Sequence, residues 1–410
     1  MLSKYRHRTA CGICGGSGLS LILDLGKMSL ANAFLKKEDL NKLEDKFPLK
    51  VYFCRFCSSL QLLDIVNPEL LFRHYNYLTS ASRPLAEHFI KMGKDLADKF
   101  VASPNDLVVE IGGNDGVLLA GIKDRSRVLN IEPAENIAEI SRKSGVETIP
   151  DFFNLKLAEE IVRKYGNAKV VVANNVMAHV ENLREAFSGV KKLINSDGVF
   201  VFEVHWVGNL IGEGGFDQIY HEHVFYHSLT ALKYLVEGLG LKIFDVKLVP
   251  IHGQSMRVYV AEGKEVKKSV ATLLQREKKM KLNRKETFVK FAKRVSKNKE
   301  KLLSLLKDLK KNGKRITGYG APAKGNTLLN YLGIGTDTLD FLTDTTIFKQ
   351  GLYSPGMHVP VVGPERLLTD IPDYILLLAW NYTDLILEKE RELRNKGVKF
   401  IIPVPEVKIV

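Results

Sequence analysis

The chain has 410 residues but only four cysteines and two tryptophans, and no apolar run long enough to cross a bilayer. That last absence excludes a helical membrane protein. The opening residues, Met1-Leu-Ser-Lys-Tyr-Arg-His-Arg8, carry charge with no apolar stretch after them, so no secretory signal is expected. No short-period repeat and no low-complexity segment occurs. Acidic residues are in deficit, 47 against 60 Lys and Arg, giving a net charge of +13. An ordinary apolar content of 45% and this length together predict more than one domain, and three are expected.

The positive charge is local. Residues 264–314 hold 19 Lys/Arg against 5 Asp/Glu, more than the whole net charge, so the rest of the chain is near neutral. The same stretch carries an apolar stripe at helical spacing: Val270, Leu273 and Leu274, then Phe288, Phe291, Val295, Leu302, Leu306 and Leu309. A solvated face of amphipathic helices is expected there rather than a polyanion-binding surface, and no nucleic-acid partner is expected.

The four cysteines form two Cys-x-x-Cys pairs, Cys11/Cys14 and Cys54/Cys57, with none left over. Two such knuckles supply four thiolates for a tetrahedral zinc ion, and Gly12, Gly15 and Gly16 favour the tight turn the first one needs. Two disulfides or a redox pair are the alternatives. A closed four-sulfur shell leaves no position for substrate, so the zinc is expected to be structural and to fold a small amino-terminal module. Reduced cysteines and the missing export signal point to the cytoplasm.

Beyond about residue 75 the pattern alternates. A helix is expected over 85–101, with Leu85, Phe89, Met92, Leu96 and Phe100 on one face. Buried strands are expected at 107–111, 128–131, 169–173 and 198–203, separated by helical patterns. Such alternation predicts a parallel sheet with helices on both faces. A second α/β unit opens at Arg315 and runs through strands near 339–344, 374–379 and 399–402. The expected division is 1–75, 76–262 and 263–410.

The first strand runs into Glu110-Ile-Gly-Gly-Asn-Asp-Gly116, and the second ends in Glu132, 22 residues after Glu110. Glycine lets the backbone approach a ligand at the strand-to-helix turn, and a carboxylate ending the second strand can accept both hydroxyls of an adenosine ribose. Gly112, Gly113 and Gly116 do not keep the G-x-G-x-x-G spacing of nicotinamide dinucleotide sites. An acid followed by this loop suits S-adenosylmethionine, whose sulfonium and amino groups are cationic. Glu110, Gly112, Asn114, Asp115, Gly116 and Glu132 are therefore the candidate cofactor residues. Asn174, Asn175 and His179 follow the later strand at the mouth of the same crevice, with Asn175 assigned to the cofactor and His179 to the substrate side.

Tyr220-His-Glu-His223 concentrates four polar side chains after a strand-and-loop region. Imidazole suits proton transfer at neutral pH, a carboxylate such as Glu222 can hold its tautomer, and Tyr220 can donate to a developing oxyanion. His-x-His could also bind metal, but no third ligand follows at a recognisable spacing.

With these motifs assembled, the chain resembles the sugar C-methyltransferases that act on nucleotide-linked 4-keto deoxysugars. The resemblance spans nearly the whole length. It covers the zinc knuckles, Leu23-Asp-Leu-Gly26 with Leu30-Ala-Asn-Ala-Phe34, Tyr75-x-Tyr77, the Glu110 loop, Asn175 through Val180, and Phe216 through His223. It ends with Gly318-Tyr-Gly-Ala-Pro-Ala-Lys324-Gly-Asn326-Thr and Lys349-Gln-Gly-x-Tyr353. The resemblance implies a zinc-binding lobe, a central Rossmann-like S-adenosylmethionine-binding domain and a carboxyl-terminal Rossmann-like α/β domain, with the sugar nucleotide between lobes. It also implies that Tyr220, Glu222 and His223 hold the catalytic base with His179 close by, and that Tyr75 and Tyr77 line the substrate cleft. Lys324, with Asn326 beside it, would meet the nucleotide, thymidine diphosphate by family habit.

The implied reaction is methylation at C3 through an enolate. His223 takes the C3 proton, Glu222 orients it, and Tyr220 or His179 stabilises O4. An O- or N-methyltransferase of another metabolite is the main alternative, and a nucleic-acid-binding zinc methyltransferase or a non-catalytic relative are further ones. No membrane partner is expected. The sequence leaves the oligomeric state open, a monomer included.

Overall fold

The computed structural model describes all residues except 1, 2, 74, 76, 77 and 251–253. The chain forms two compact units. The first comprises residues 1–20, 52–208 and 222–284, and the second comprises 21–51, 209–221 and 285–410.

The first unit is organised by a seven-stranded sheet. Its strands are β1 (Leu107–Ile111), β2 (Arg127–Ile131), β3 (Thr148–Ile149), β4 (Ala168–Asn174), β5 (Ile194–His205), β6 (Lys242–Val249) and β7 (Ser255–Ala261). The spatial order is β6-β7-β5-β4-β1-β2-β3. The pairs β1–β2, β2–β3, β1–β4 and β4–β5 are parallel, whereas β7 runs antiparallel to both β5 and β6. The order reverses between β1 and β4, and at such a switch point the loops leaving the carboxyl ends of the strands diverge to open a crevice.

Both faces of this sheet are covered, so its central strands read as unbroken apolar runs rather than alternating ones. Val108, Val170, Val172, Val199 and Val201 pack with Leu85, Phe89, Met92 and Leu96 of helix α1 (Arg83–Phe100) and with Leu118 and Leu119 of the short helix α2 (Val117–Ala120). The opposite face holds Phe200 and Phe202, stacked at 4.9 Å, with Phe187 set edge-on to both. The sequence places strand and helix centres correctly because these runs are long and strongly patterned.

Further along, helix α3 (Leu229–Glu237) begins where Ser228 caps it by accepting from Ala231 N at 3.1 Å. Helix α4 (Lys268–Lys279) then contributes Glu277, which is buried. Its carboxylate accepts from Leu229 N at 2.6 Å, Thr230 N at 2.8 Å and Trp206 Nε1 at 2.8 Å. One acid thereby satisfies the open amides at the α3 start and a buried indole.

The second unit contains helix α5 (Lys285–Lys311) and a six-stranded sheet. Its strands are β8 (Ile316–Tyr319), β9 (Leu342–Thr343), β10 (Val361–Val362), β11 (Tyr374–Leu377), β12 (Lys399–Ile402) and β13 (Lys408–Ile409), in the order β10-β9-β8-β11-β12-β13. All pairs are parallel except β12–β13. The helix α6 (Ala323–Leu332) follows β8. In α4 and α5 the apolar stripe is buried at Val270, Leu273, Phe288, Phe291, Val295, Leu302 and Leu306, which leaves the lysines outward. Among the described residues no helix is long and apolar enough to cross a membrane.

Candidate active site and zinc centre

The zinc knuckles come together at one point. The sulfurs of Cys11, Cys14, Cys54 and Cys57 all lie within 4.8 Å of one another. Cys11 and Cys57 are 3.6 Å apart and Cys14 and Cys54 3.5 Å, far beyond a disulfide bond, and all four thiols are free. These separations suit sulfurs that share one tetrahedral ion. Backbone amides of Ile13 and Gly16 point at Cys11 Sγ and Cys14 Sγ, both at 3.4 Å, and Gln61 Nε2 donates to Cys11 Sγ at 3.0 Å. The hydrogen bond shared by Cys11 and Cys57 holds the Cys11 thiol down and pushes the Cys57 thiol up. The amide donors of Ile13, Gly16 and Gln61 stabilise thiolate charge, as a metal site requires. Among the described residues no other cluster of His, Cys, Asp or Glu brings three ligand atoms together.

The loop after β1 is shaped by three residues with left-handed backbone, Gly112 at φ +62°, Asn114 at φ +52° and Gly116 at φ +79°. Gly113 is there for space: a Cβ on it would stand 2.5 Å from Asn130 Oδ1 and 2.8 Å from Glu110 Oε2. Glu132 accepts from Asn114 N at 3.0 Å and Ala134 N at 2.9 Å, one on each oxygen. Each oxygen keeps a second lone pair, so a ribose diol can still be accepted. Burial raises the Glu132 carboxyl to about 6.

Glu110 is more extreme. Burial pushes its carboxyl up to about 8, against a lowering contribution from Asn174, whose Nδ2 lies 3.4 Å from Oε1. Among the described residues its Oε2 has no hydrogen-bond partner, and the same holds for Asp115 Oδ1, Asn174 Oδ1 and Asn175 Oδ1. Four buried acceptors at the ends of β1 and β4 form a site that a cationic, hydrogen-bond-donating ligand satisfies. The residues therefore fit S-adenosylmethionine. Asn114 and Asp115 are also committed to the chain itself: their side chains accept from Thr79 N at 2.9 Å and Ser80 N at 3.1 Å, which ties the turn preceding α1 to the loop.

The imidazoles gather beyond the strand ends. His179 follows β4, His205 ends β5, and His223 lies between them, its ring centroid 5.0 Å from His179 and 5.4 Å from His205. Phe72 closes over His179 at 5.4 Å. Burial, helped by His205, pushes His179 down to about 3, so it is neutral at physiological pH. Glu222 and His223 are both buried, and Tyr75 Oη donates to Glu222 Oε2 at 3.4 Å. The backbone of Tyr75 is held by the Asn136 side chain, whose Nδ2 donates to its carbonyl at 2.8 Å. Tyr77 lies outside the described residues. The chain passes from the second unit to the first between His221 and Glu222, so Tyr220 and His221 belong to the second. There His221 Nε2 meets the Phe47 carbonyl at 3.1 Å, a packing role.

In the second unit Lys324 sits in the first turn of α6, its amine 4.0 Å from the centre of the Trp380 ring and donating to Asn381. Trp380 Nε1 donates in turn to the buried Asp217 at 2.6 Å. Burial lowers Lys324 to about 8, opposed by Asp217 and Glu213. Asn326 is fully buried and donates to the Ala31 carbonyl at 2.7 Å. It thus pins the segment around Ala31. The loop before α6 repeats a device of the first unit: Asp344 accepts from Ala321 N at 2.7 Å and from Thr346 N at 2.8 Å, as Glu132 accepts from Asn114 and Ala134.

Sequence reasoning missed His205, which carries no motif of its own and whose segment meets that of His223 through the bridge between Trp206 and His227. It also missed the Asp217–Trp380 support of Lys324, because Trp380 arrives from near the end of the chain.

A crevice at a strand-order switch, lined by a glycine loop, two strand-end carboxyls and a set of imidazoles, defines a Rossmann-like, S-adenosylmethionine-dependent methyltransferase with a zinc-binding lobe. Comparison with known proteins narrows the class. Three family models match in succession: a zinc binding domain over residues 11–72, a methyltransferase domain over 85–246, and a C-methyltransferase C-terminal domain over 250–405. The chain is 35% identical to the C-methyltransferase NovU of Streptomyces niveus, over 98% of this chain and 96% of that one. The protein belongs to this family of C-methyltransferases. Among solved structures, it is similar to the magnesium protoporphyrin IX methyltransferase of Synechocystis, with 12% identity over 43% of this chain and 79% of that one, TM-score 0.34. A possible histamine N-methyltransferase of Thermotoga maritima gives 16% identity, 43% and 91% coverage, and a TM-score of 0.33.

Proposed function

We propose that the protein methylates C3 of a nucleotide-linked 4-keto deoxysugar, carried on thymidine diphosphate, with His223 as the base. The observation that supports this most is the packing of His223 against neutral His179 and against His205, in a chain whose family transfers methyl groups to carbon. Carbon becomes nucleophilic when a neighbouring carbonyl makes its proton acidic, so a C-methyltransferase needs a base and a place for an oxyanion. His223 Nδ1 or Nε2 takes the C3 proton, and the C–H electron pair becomes the C3=C4 bond of an enolate with charge on O4. His179, being neutral, can donate an N–H to that oxygen without itself being a competing acid-base cation, and Tyr220 is the second candidate donor. Glu222, held by Tyr75, orients His223. S-adenosylmethionine supplies the electrophilic methyl group. Tyr75 and Tyr77 are assigned to the sugar, Lys324 to the pyrophosphate, and Asn326 to holding the nucleotide loop.

The test is hydrogen exchange without methyl transfer. Wild-type enzyme incubated with the keto sugar nucleotide in D2O, with S-adenosylhomocysteine in place of the donor, should introduce deuterium at C3. His223→Ala should lose this exchange and methyl transfer by about 10²–10⁴-fold while cofactor affinity stays unchanged. Exchange by the variant at the wild-type rate removes His223 from the base role.

A further inference from the structure

The zinc centre is joined to the imidazole cluster through paired strands, and the connections between them are specific. Gln61 is fully buried and spans the gap. Its Nε2 donates to Cys11 Sγ at 3.0 Å, its Oε1 accepts from Gly12 N at 2.8 Å, and its own strand position pairs with Phe225. The next residue, Leu62, donates its amide at 2.8 Å to the carbonyl of Val224, the neighbour of His223 in the chain. Phe225 N then reaches the Ala178 carbonyl at 3.1 Å, which leads to His179. A second route starts from the same knuckle: Arg184 Nε and Nη2 donate to the Ile13 carbonyl at 3.3 and 3.2 Å, and Arg8 Nη2 donates to the Glu181 carbonyl at 2.5 Å. The segment from His179 to Arg184 is thus fastened to the metal-binding turn at Ile13 and to the chain just before that turn at Arg8. At the turn itself there is no slack, because a Cβ on Gly12 would stand 2.6 Å from the Phe225 ring.

We propose that the zinc knuckles position His223 and His179 for catalysis, with Gln61 and Arg184 as the coupling residues. The ion would act at a distance: it makes the turn at residues 11–14 rigid, Gln61 reads that turn, and the paired strands set where the two imidazoles face each other. Neither Gln61 nor Arg184 touches substrate, so both are positioning residues. The catalytic part of this inference rests on His223 serving as the base, whereas the geometric part does not.

The experiment uses full-length, zinc-saturated protein carrying Gln61→Met, which keeps the volume and removes the side-chain amide's three hydrogen bonds, to Gly12, Cys11 and Ser59. Zinc content, cofactor affinity, the ¹⁵N resonances of His179 and His223, and C3 deuterium exchange are measured together, with His223→Ala alongside. Zinc is expected to remain at wild-type stoichiometry and cofactor affinity to be unchanged. The two imidazole resonances shift, and exchange and kcat fall about 10–100-fold with little change in the KM for sugar nucleotide. Unmoved imidazole resonances in the zinc-loaded variant overturn the proposal. Shifted resonances with wild-type exchange support the positioning and instead overturn the base assignment, which His223→Ala then reports independently. If Gln61→Met fails to hold zinc, Arg184→Met carries the same measurements, and the same outcomes support or overturn the coupling, because Arg184 grips the turn through a carbonyl and not through a sulfur.

Discussion

A carboxyl group raised to about 8 inside a cofactor crevice makes a definite pH prediction at the scale of one residue. Glu110 gains protons relative to its unfolded value of 4.5, so between roughly pH 4.5 and 8 the folded state holds more protons than the unfolded one. Its contribution to stability is therefore greatest below the unfolded value and falls as pH rises through that window. A cationic cofactor reverses the preference by favouring the ionised form. Binding should accordingly release a proton near pH 7, and affinity should tighten as pH rises from 6 to 8. Calorimetry in buffers of different ionisation enthalpy reads this directly, and Glu110→Gln should abolish most of the proton release. A binding enthalpy independent of the buffer would refute the assignment.

At the scale of elements, the glycine loop and the helix caps offer separable tests. Gly113→Ala places a methyl group against Asn130 and Glu110, and should weaken cofactor binding by about tenfold, or ~1.4 kcal/mol, with the fold retained. Glu277→Ala strands the amides of Leu229 and Thr230 and the Trp206 indole, and should cost about 3 kcal/mol of stability with cofactor affinity unchanged. Thermal melts and titrations distinguish the two. Elements of this kind also mark how far the sequence could be read. Strands such as 107–111 and the helix at 83–100 were legible because burial on both faces or one face imposes a run or a period. The cysteine knuckles were legible because the spacing itself is the chemistry. Glu277 was not, since inside a lysine-rich helix it looks like one more surface acid, and only tertiary packing turns it toward α3. His205 and Gln61 were hidden for a similar reason: each acquires its neighbours through strand register, which no local pattern in this chain reveals.

The whole molecule repeats one idea in two α/β units, a strand, a glycine turn, and an acid from the next strand that seats backbone amides. Glu132 does this in the first unit and Asp344 in the second. The resemblance of 318–327 to its family's motif was visible in sequence, but the role of Asp344 as its support was not, because the acid lies 23 residues beyond Ala321. The assignment of the units to chain segments was equally hidden: residues 21–51 join the second unit although they lie between the two zinc knuckles. The excess charge on α4 and α5 surrounds buried stripes, so at physiological salt the protein should retain little affinity for RNA or heparin, which a filter-binding titration checks.

The proposed reaction is methyl transfer to a carbon made acidic by a neighbouring ketone. The most direct test incubates the protein with S-adenosylmethionine and thymidine-diphospho-4-keto deoxysugars, and locates the new methyl group by NMR and mass spectrometry. A single methyl on C3, with loss of the C3 proton signal, is the result predicted. A methyl group on oxygen or nitrogen, with the C3 proton intact, would contradict it.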